Sequence, residues 1–298
     1  MGNLVNYCAI IVGYYPGKSL EKIVSVLNLL GICSIVVDNT PHDSEEVRSL
    51  EGGLISNNHF YYSMGKNTGI AAAQNYGIAV ALKNSKDAIL FFDQDSVVSS
   101  QMIKALLTAF ESGDGDVLAP VCLDNNDVEI PSFLINKYGF SSKVFSKNNN
   151  QVVHLAISSG CLVKSSVFEA VGTFDESLFI DYVDFEWCFR CWKNGVFIKI
   201  ISDAVMHHNI GYGNVYLGSL KTTSHSPFRT FYKLRNPLLL LKKSYIPKVY
   251  CFLEIILSIK CLMVQIVHGP SRIDHLKRGF FGFLEGVLSL KKNRSNNV

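Results

Sequence analysis

Residues 89–96 read ILFFDQDS, an apolar run that ends abruptly at two aspartates separated by one residue. Four consecutive large apolar residues predict a strand that is buried on both faces, as in a parallel sheet covered by helices. Asp93 and Asp95 then fall at the carboxyl end of this strand. Ligands of open α/β sheets bind at that edge, and paired carboxylates suit Mg2+ or Mn2+ with bound phosphates. Because aspartate is also common in turns and N-caps, the pair alone favours a metal-diphosphate site no more than an ordinary turn.

Strand and helix patterns alternate through about residue 120. The apolar run 7–13 enters a Pro16-Gly17 turn, and 19–30 repeats Leu, Ile and Val at helical spacing after a serine N-cap. Further predicted elements in this half are strands at 34–37, 54–57 and 60–64 and helices at 43–50 and from Gly69. Such alternation predicts a largely parallel, doubly wound sheet.

The pattern changes after residue 120. Residues 124–150 are rich in Asn, Asp, Ser and Lys without a clear period, which predicts loop and hairpin structure. We expect this segment to be an insertion that faces the acceptor. A strand is predicted over 152–163, a helix over 181–194 that ends at Gly195, and another strand over 196–201.

Charge and composition exclude some classes of partner and favour others. The chain has 298 residues, enough for one large or two smaller domains, and is 48% hydrophobic. A formal net charge of +3 is too small to indicate a nucleic-acid partner. From Lys221 onward, basic residues cluster with aromatic and aliphatic ones, which indicates either peripheral contact with an anionic membrane or an ordinary solvated helical face.

The eight cysteines follow no disulfide rhythm, and no secretory signal precedes them, so we expect a reducing cytoplasm. Cys188 and Cys191 form a C-x-x-C without a second pair at zinc spacing, so we expect buried free thiols. Residues 249–268 are apolar but are interrupted by charged and amide side chains. This stretch predicts a packed or interfacial helix better than a membrane span.

Four polar clusters lie at predicted strand ends or helix starts: 38–39, 67–75, 93–95 and 181–186. Carboxylate and amide groups at one edge of an α/β sheet, together with helix N-termini, are what a nucleotide site requires. The clusters together therefore indicate a nucleotide-binding edge more strongly than any one of them.

The chain resembles the family 2 glycosyltransferases with a GT-A fold, and within them the bacterial rhamnosyltransferase-like group. The matching segments occur in the family's order and span nearly the whole chain: VVDN (36–39), NTGIAAAQNYGIAVA (67–81), LFFDQDS (90–96), SSGCLVK (158–164), VGTFDESLFIDYVDFEWCFRCWKNG (171–195), HHNIG (207–211) and SPFRTFYKLRN (226–236). The resemblance implies an α/β, Rossmann-like domain over 1–215, with a mostly parallel central sheet and flanking helices. Its nucleotide-binding half would cover about 1–120 and its acceptor-binding half about 121–215, followed by a helical, basic and apolar region over 216–298.

The resemblance also implies residue roles around the donor. Asp38 would contact the nucleotide base, or be a turn residue at the strand end. Asp93-Gln94-Asp95 would form the Asp-x-Asp element, with Asp95 making most of the direct metal contact. His208 would face the same metal and diphosphate, as a ligand or a leaving-group contact, with a structural imidazole as the alternative. His207 is the expected bystander.

Further donor contacts are expected at positions that each have a structural alternative. Asn67, Gly69 and Asn75 would line the nucleotide pocket, or serve a tight helix-sheet contact. Gly160 would leave room for the donor sugar, or be a plain turn glycine. Arg229 and Arg235 would close over the diphosphate, or belong to a membrane-facing basic helix.

Glycosyl transfer with inversion at the anomeric carbon requires a base that removes the proton of the acceptor hydroxyl. The resemblance aligns Asp184, in VDFEWCFR, with the family's base, and Val183 stands where many relatives have glutamate. Asp181 and Glu186 remain competitors, although Glu186 lies four residues before Arg190 and can pair with it across one helical turn.

The function implied by the resemblance is inverting, Mg2+- or Mn2+-dependent transfer of L-rhamnose from dTDP-L-rhamnose to a lipid-linked oligosaccharide in O-antigen or capsule synthesis. We expect the protein in the cytoplasm, peripherally at the inner face of the bacterial inner membrane. The alternatives are a UDP-hexose donor on the same fold, or a nucleotide-sugar-binding subunit without catalysis.

Overall fold

The computed structural model describes residues 5–41, 59–124, 126–207, 214–217, 220–223 and 225–292. Within these residues the strands are β1 Tyr7–Gly13, β2 Cys33–Asp38, β3 His59–Ser63, β4 Ala88–Asp93, β5 Val117–Leu123, β6 Glu129–Ile130, β7 Ser132–Ile135, β8 Ser141–Val144, β9 Gln151–Val153, β10 Leu162–Lys164, β11 Ile198–His207, β12 Asn214–Leu217 and β13 Leu220–Thr223. The helices are α1 Lys18–Leu29, α2 Ile70–Lys83, α3 Ser100–Glu111, α4 Ser165–Val171, α5 Val183–Lys193, α6 Pro227–Leu240, α7 Lys248–His268 and α8 Arg272–Lys292. The predicted helices at 19–30, from Gly69 and at 181–194 are confirmed to within two residues.

One mixed sheet organises the molecule. Its strands lie in the order β3-β2-β1-β4-β10-β5-β11-β9, and β6 pairs with β5. The strands β3, β2, β1 and β4 run parallel, as do β5 and β11, whereas β10 is antiparallel to both of its neighbours. The predicted mostly parallel α/β sheet is confirmed, and the carboxyl ends of β1, β2 and β4 lie side by side at one edge.

The central strands are buried on both faces because helices cover each side of the sheet. Ile10 and Phe91 pack in one apolar cluster with residues of α2 and α5, while Ile11 and Phe92 pack in a second cluster with residues of α1 and α3. All four side chains are at most 1% exposed. The apolar run before Asp93 is therefore a core strand that ends at the ligand-binding edge.

Two local predictions are wrong. The N-cap of α1 is Gly17, with no side-chain cap, so Ser19 lies inside the helix. The strand predicted over 152–163 is two short strands, β9 and β10, because the chain turns between them. At Gly160, with φ +86°, the amide donates to the Phe91 carbonyl. The elements predicted at 43–50 and 54–57 lie outside the described residues.

The C-terminal part is helical, as predicted. The helices α6, α7 and α8 pack on one another, and α7 is, within the described part of the chain, the one helix that is long and apolar enough to cross a membrane. In its most apolar 18-residue window, 28% is buried inside the protein. Cys188 and Cys191 are buried free thiols.

Candidate active site

Acidic side chains from separate parts of the chain influence one another at the carboxyl edge of the sheet. Asp93 ends β4, and burial, followed by the nearby charge of Asp95, raises its pKa to about 6. Asp184 lies in the first turn of α5, and burial, followed by the charge of Asp93, raises its pKa to about 6 as well. The structure thus places both Asp95 and Asp184 within electrostatic range of Asp93.

A hydrogen-bonded chain holds Asp184. The hydroxyl and the backbone amide of Ser158 both donate to its carboxylate, which opposes the rise in its pKa. The Gln74 side-chain amide donates to the Ser158 hydroxyl at 3.1 Å. Ser158 stands in the quoted SSGCLVK segment, but nothing in the sequence identified it or Gln74 as a support for Asp184.

Asp181 is paired and does not compete as a free base. The Arg229 guanidinium donates to its two carboxylate oxygens at 2.6 and 3.3 Å. Burial would raise the pKa of Asp181, but Lys233 and Arg229 together outweigh it and the pKa is lowered. Arg229 also lowers the pKa of Asp93, so it lies within electrostatic range of the acidic cluster.

The segment between Leu178 and α5 is held in an unfavourable backbone conformation. Phe179, Asp181 and Tyr182 have φ of +66°, +61° and +65°, which L-residues rarely adopt. The Asn236 side chain donates to the carbonyls of residues 178, 180 and 181 at 2.8 to 2.9 Å, and fixes this path. Strain of this kind clusters at functional sites, where the surrounding structure enforces it.

Glu186 has a structural environment. It is 1% exposed, and the Arg190 guanidinium donates to both of its oxygens at 2.8 Å. The Tyr245 hydroxyl donates to the same carboxylate. The predicted pairing across one helical turn is therefore present.

Asp38 lies at the end of β2 with its carboxylate enclosed by protein. Thr40 donates from its amide at 2.8 Å and from its hydroxyl at 2.5 Å, and the Tyr61 hydroxyl donates at 2.5 Å. The Thr40 hydroxyl in turn accepts from the Tyr15 amide at 2.7 Å. Asp38 is 0% exposed, so in this conformation its carboxylate holds the loop at the strand end and is not free to bind a nucleotide base.

The Gln94 side chain holds the loop that follows β1 through hydrogen bonds to its backbone. Its side chain accepts from the Tyr14 amide at 2.7 Å and donates to the Tyr14 carbonyl at 2.9 Å. With Thr40 holding Tyr15, the two exposed tyrosine rings are fixed in edge contact, 4.7 Å apart. Because β1 and β4 are neighbours, these rings lie at the same sheet edge as Asp95.

Asn67 and Gly69 shape the start of α2. The Asn67 side chain accepts from the Gly69 amide at 3.1 Å, and the Ile70 amide donates to the Phe179 carbonyl at 2.8 Å. Gly69 has φ +87°, and a Cβ there would lie 2.6 Å from the Phe179 carbonyl oxygen. Only glycine lets the start of α2 approach the strained segment so closely.

Three other predicted donor contacts have protein partners that give them structural roles. Asn75 exchanges hydrogen bonds with the Phe174 backbone at 2.9 Å in each direction. A Cβ on Gly160 would lie 2.6 Å from the Pro120 side chain, so packing against Pro120 requires glycine at this position. Arg235 directs its guanidinium to the carbonyls of residues 177 and 178, to Asn236 and to Glu285, which leaves it supporting the strained segment.

The residues present fit a divalent cation bound with a substrate diphosphate. Asp95 is exposed and Asp93 is half-buried on the same turn, and Mg2+ is commonly held by one or two carboxylates plus phosphate oxygens. Within the described ranges, no group of three or more His, Cys, Asp or Glu side chains could hold a metal by itself. His208 lies outside the described residues, and its neighbour His207 pairs with Asp127 at 2.9 Å.

Comparison with known proteins agrees with this geometry. A family model described as "Glycosyl transferase family 2" matches residues 18–172. The chain belongs to this family. It is 34% identical to the dTDP-rhamnosyl transferase RfbF of Shigella flexneri over 95% of each chain. It is 24% identical to the low-salt glycan biosynthesis hexosyltransferase Agl10 of Haloferax volcanii over 93% of this chain and 90% of that protein.

Solved structures of similar fold are GT-A glycosyltransferases. A crystal structure of S. aureus TarS 1-349 in complex with UDP-GlcNAc superposes with a TM-score of 0.57 at 11% identity, covering 95% of this chain and 82% of that one. A crystal structure of GalNAc-T7 with UDP, GalNAc and Mn2+ gives a TM-score of 0.57 at 14% identity, and the match spans 91% of this chain but 59% of that chain. At these identities the likeness establishes the fold, and it confirms the predicted GT-A architecture.

Proposed function

We propose that this glycosyltransferase inverts the anomeric centre while it moves L-rhamnose from dTDP-L-rhamnose to a hydroxyl of a lipid-linked oligosaccharide in surface polysaccharide synthesis. The observation that carries the reaction type is the convergence of Asp184 with Asp93 and Asp95 at the carboxyl edge of the sheet. The rhamnose donor is supported by the 34% identity to the Shigella rhamnosyl transferase.

Asp184 has the properties of the base in this proposal. A carboxyl with a pKa near 6 is largely ionised at neutral pH and is still basic enough to accept a proton in a transition state. The acceptor hydroxyl gives its proton to Asp184, and its oxygen bonds to the anomeric carbon from the side opposite the nucleoside diphosphate. The bond from that carbon to the diphosphate oxygen breaks, and the electron pair leaves with the diphosphate.

Asp95 and Asp93 would hold Mg2+ or Mn2+, with His208 as a third contact from outside the described residues. When bound, the cation supplies positive charge against the charge that develops on the departing diphosphate. Burial, followed by the charge of Asp95, raises the pKa of Asp93, and a cation bound between the two carboxylates would relieve their repulsion.

Nucleoside recognition in this proposal falls to the loops at the same edge. The exposed rings of Tyr14 and Tyr15 offer stacking surfaces, and Asp38 and Gln94 hold those rings in place. Asn67 and Gly69, at the start of α2, would line the nucleotide pocket, and Arg229, whose charge acts on Asp93, would contact phosphate oxygens. Asn75, Gly160 and Arg235 would have structural roles, through their contacts with Phe174, Pro120 and the carbonyls of residues 177 and 178.

The acceptor and the location complete the proposal. The basic and apolar C-terminal helices suit a protein that works in the cytoplasm and docks peripherally on the inner face of an anionic bacterial membrane. A UDP-hexose donor is the second candidate, favoured by the hexosyltransferase name of the Haloferax relative and by the UDP-sugar in the TarS complex.

A donor panel tests the proposal. Purified protein with Mn2+ is incubated with dTDP-L-rhamnose, UDP-galactose or UDP-N-acetylglucosamine, and binding and slow hydrolysis are recorded with and without EDTA. We expect dTDP-L-rhamnose to bind and to be hydrolysed, and EDTA to abolish hydrolysis. Selective binding of a UDP-sugar would refute the rhamnose donor, and binding of no sugar nucleotide would refute the transferase.

The Asp184→Asn variant separates an enzyme from a binding subunit. For an enzyme, the variant should bind the donor as well as the wild type and lose turnover with acceptor. Unchanged turnover in Asp184→Asn would remove Asp184 from the role of base.

A further inference from the structure

The helix α8 packs on the protein through its small residues and turns its large apolar side chains outward. Its inner face carries Gly279, Gly282 and Gly286, and a Cβ on Gly282 would lie 2.2 Å from the Phe231 carbonyl oxygen of α6. Its outward apolar side chains are 39 to 68% exposed and include Ile273, Leu276, Phe280, Phe281, Phe283 and Leu288. A helix on a water-exposed surface has the reverse pattern, so this face is suited to contact with an apolar phase.

The neighbouring helix α7 extends the same kind of surface. Phe252, Ile256 and Met263 are 48 to 56% exposed on this 21-residue helix. Basic side chains border the apolar ones on both helices, as Lys260 does on α7 and Lys291 does on α8. Aromatic and aliphatic side chains bordered by lysine and arginine are typical of surfaces that meet anionic lipid.

A cavity of about 520 Å³ opens between the start of α6 and α8. It is lined by Pro227, Phe228, Asp274, Lys277, Arg278 and Phe281. Two cations face one carboxylate there, so the lining is net positive, and the two phenylalanine rings join the cavity to the outward apolar face of α8. Such a lining matches a ligand that is anionic at one end and apolar at the other.

The cavity is one aromatic ring away from the strained segment of the active site. The Phe228 ring makes an edge contact with Phe179, with centroids 5.7 Å apart. The next residue, Arg229, is the partner of Asp181, three residues before Asp184. A ligand held in the cavity is therefore positioned to extend a glycan toward the proposed base.

We propose that this cavity binds the diphosphate of the lipid that carries the acceptor glycan. Lys277 and Arg278 contact the phosphate oxygens, and the hydrocarbon chain lies along Phe281 and the apolar faces of α8 and α7. The inference rests on the proposed function in that it assumes a lipid-linked acceptor. A diphosphate is favoured over the single phosphate of a bulk phospholipid because two adjacent cations, Lys277 and Arg278, line the same open cavity.

Vesicle co-sedimentation with the full-length chain tests the site. The vesicles are phosphatidylcholine alone, phosphatidylcholine with phosphatidylglycerol, and phosphatidylcholine with a long-chain isoprenyl diphosphate at matched surface charge. The test variant is K277Q/R278Q, and the control is K260Q/K291Q, which removes two positive charges from exposed positions on the same helices but outside the cavity. Circular dichroism checks that each variant is folded.

The wild type should bind the isoprenyl diphosphate vesicles more tightly than the phosphatidylglycerol vesicles. K277Q/R278Q should lose about tenfold or more of the affinity for the diphosphate vesicles, whereas the control should lose severalfold less. Equal losses in the two variants, equal binding of the two anionic vesicles, or no vesicle binding by the wild type would each overturn the proposed site.

Donor chemistry separates failure of this site from failure of the proposed function. K277Q/R278Q should bind and slowly hydrolyse the donor as the wild type does, because the cavity is distinct from the Asp93-Asp95 turn. If the wild type binds no sugar nucleotide yet binds the diphosphate vesicles selectively, the transferase proposal fails and the lipid site stands. If the donor is hydrolysed but the vesicle result is negative, the lipid site fails alone.

Discussion

The hydrogen bonds from Ser158 to Asp184 make the pH dependence of the reaction a direct test of the assignment. Replacing Ser158 with alanine removes the hydroxyl that stabilises the ionised carboxylate, while the backbone amide of residue 158 continues to donate. The carboxyl pKa, about 6 in the wild type, should therefore rise further. Since the base acts only when it is deprotonated, the acidic limb of kcat/KM should move to higher pH.

The size of the shift follows from the strength of one charged hydrogen bond. Such a bond contributes about 1.5–3 kcal/mol, and each 1.36 kcal/mol corresponds to one pKa unit. Water and the remaining amide compensate part of the loss, so we expect a shift of about one unit. With a base that titrates near pH 6, activity at pH 6 should fall about fivefold, while activity at pH 9 should be nearly unchanged.

The assay is kcat/KM for sugar transfer in buffers of constant ionic strength with saturating Mn2+. The pH runs from roughly 5 to 9, which is roughly one unit below to three units above the pKa of the base. Ser142→Ala, at an exposed serine in β8, is the matched control and should keep the wild-type profile. A uniform loss of activity at every pH in Ser158→Ala, with the limb unmoved, would refute the view that the limb reports Asp184.

The remaining predictions concern stability and metal binding. Because the folded-state pKa of Asp184 is raised above its unfolded value, the carboxyl contributes its full stability below the unfolded pKa and loses it as pH rises through about 6. The Asp184→Asn variant should therefore raise the free energy of unfolding at pH 8 by about 1–2 kcal/mol, with little gain near pH 4. Urea titrations at the two pH values measure this difference. Gly69→Ala should destabilise the fold by more than about 1 kcal/mol through its positive φ and its contact with Phe179, and a calorimetric melt indistinguishable from wild type would contradict the close approach. Glu186→Gln should lower stability by about 2–4 kcal/mol by leaving its arginine partner without a countercharge, but should leave the pH limb of any residual activity in place. Asp95→Asn should weaken Mn2+-dependent donor binding at least about tenfold in titration calorimetry, and wild-type affinity would remove Asp95 from the cation site.

Most of the central sheet could be predicted because its signals are local. The run before Asp93 is apolar on every residue, and such a run forms a strand only where helices cover both faces of a sheet. The antiparallel insertion of β10 between β4 and β5 could not be predicted, because strand order depends on contacts between residues far apart in the chain. The strand predicted over 152–163 was wrong for a related reason. The apolar residues on both sides of Ser158-Ser159-Gly160 predict one strand, but the chain turns there and the Gly160 amide donates to the Phe91 carbonyl of β4.

Some site residues could likewise be predicted from the sequence, whereas the hydrogen-bond partners of others could not. Asp93 and Asp95 were predicted at the site from their place at the carboxyl end of an apolar strand, and Asp184 was predicted there from the family resemblance. Arg235 was predicted as a phosphate contact from its residue type alone, and its guanidinium is instead committed to backbone carbonyls and to Glu285. A side chain's chemistry can be read from the sequence, but which partner uses that chemistry depends on packing.

By itself, the sequence determined that this chain builds a mostly parallel α/β sheet with an acidic turn at the carboxyl end of a core strand and a helical, basic and apolar C-terminal part. Apolar periodicity and residue type are properties of short segments, so the sequence specifies them without reference to the rest of the chain. Only the tertiary structure decided that Ser158 and Gln74 hold Asp184, and that Asn236 enforces the strained backbone before it. The tertiary structure also decided that α8 turns its glycines inward and its phenylalanines outward, because burial depends on which surface a helix finds to pack against.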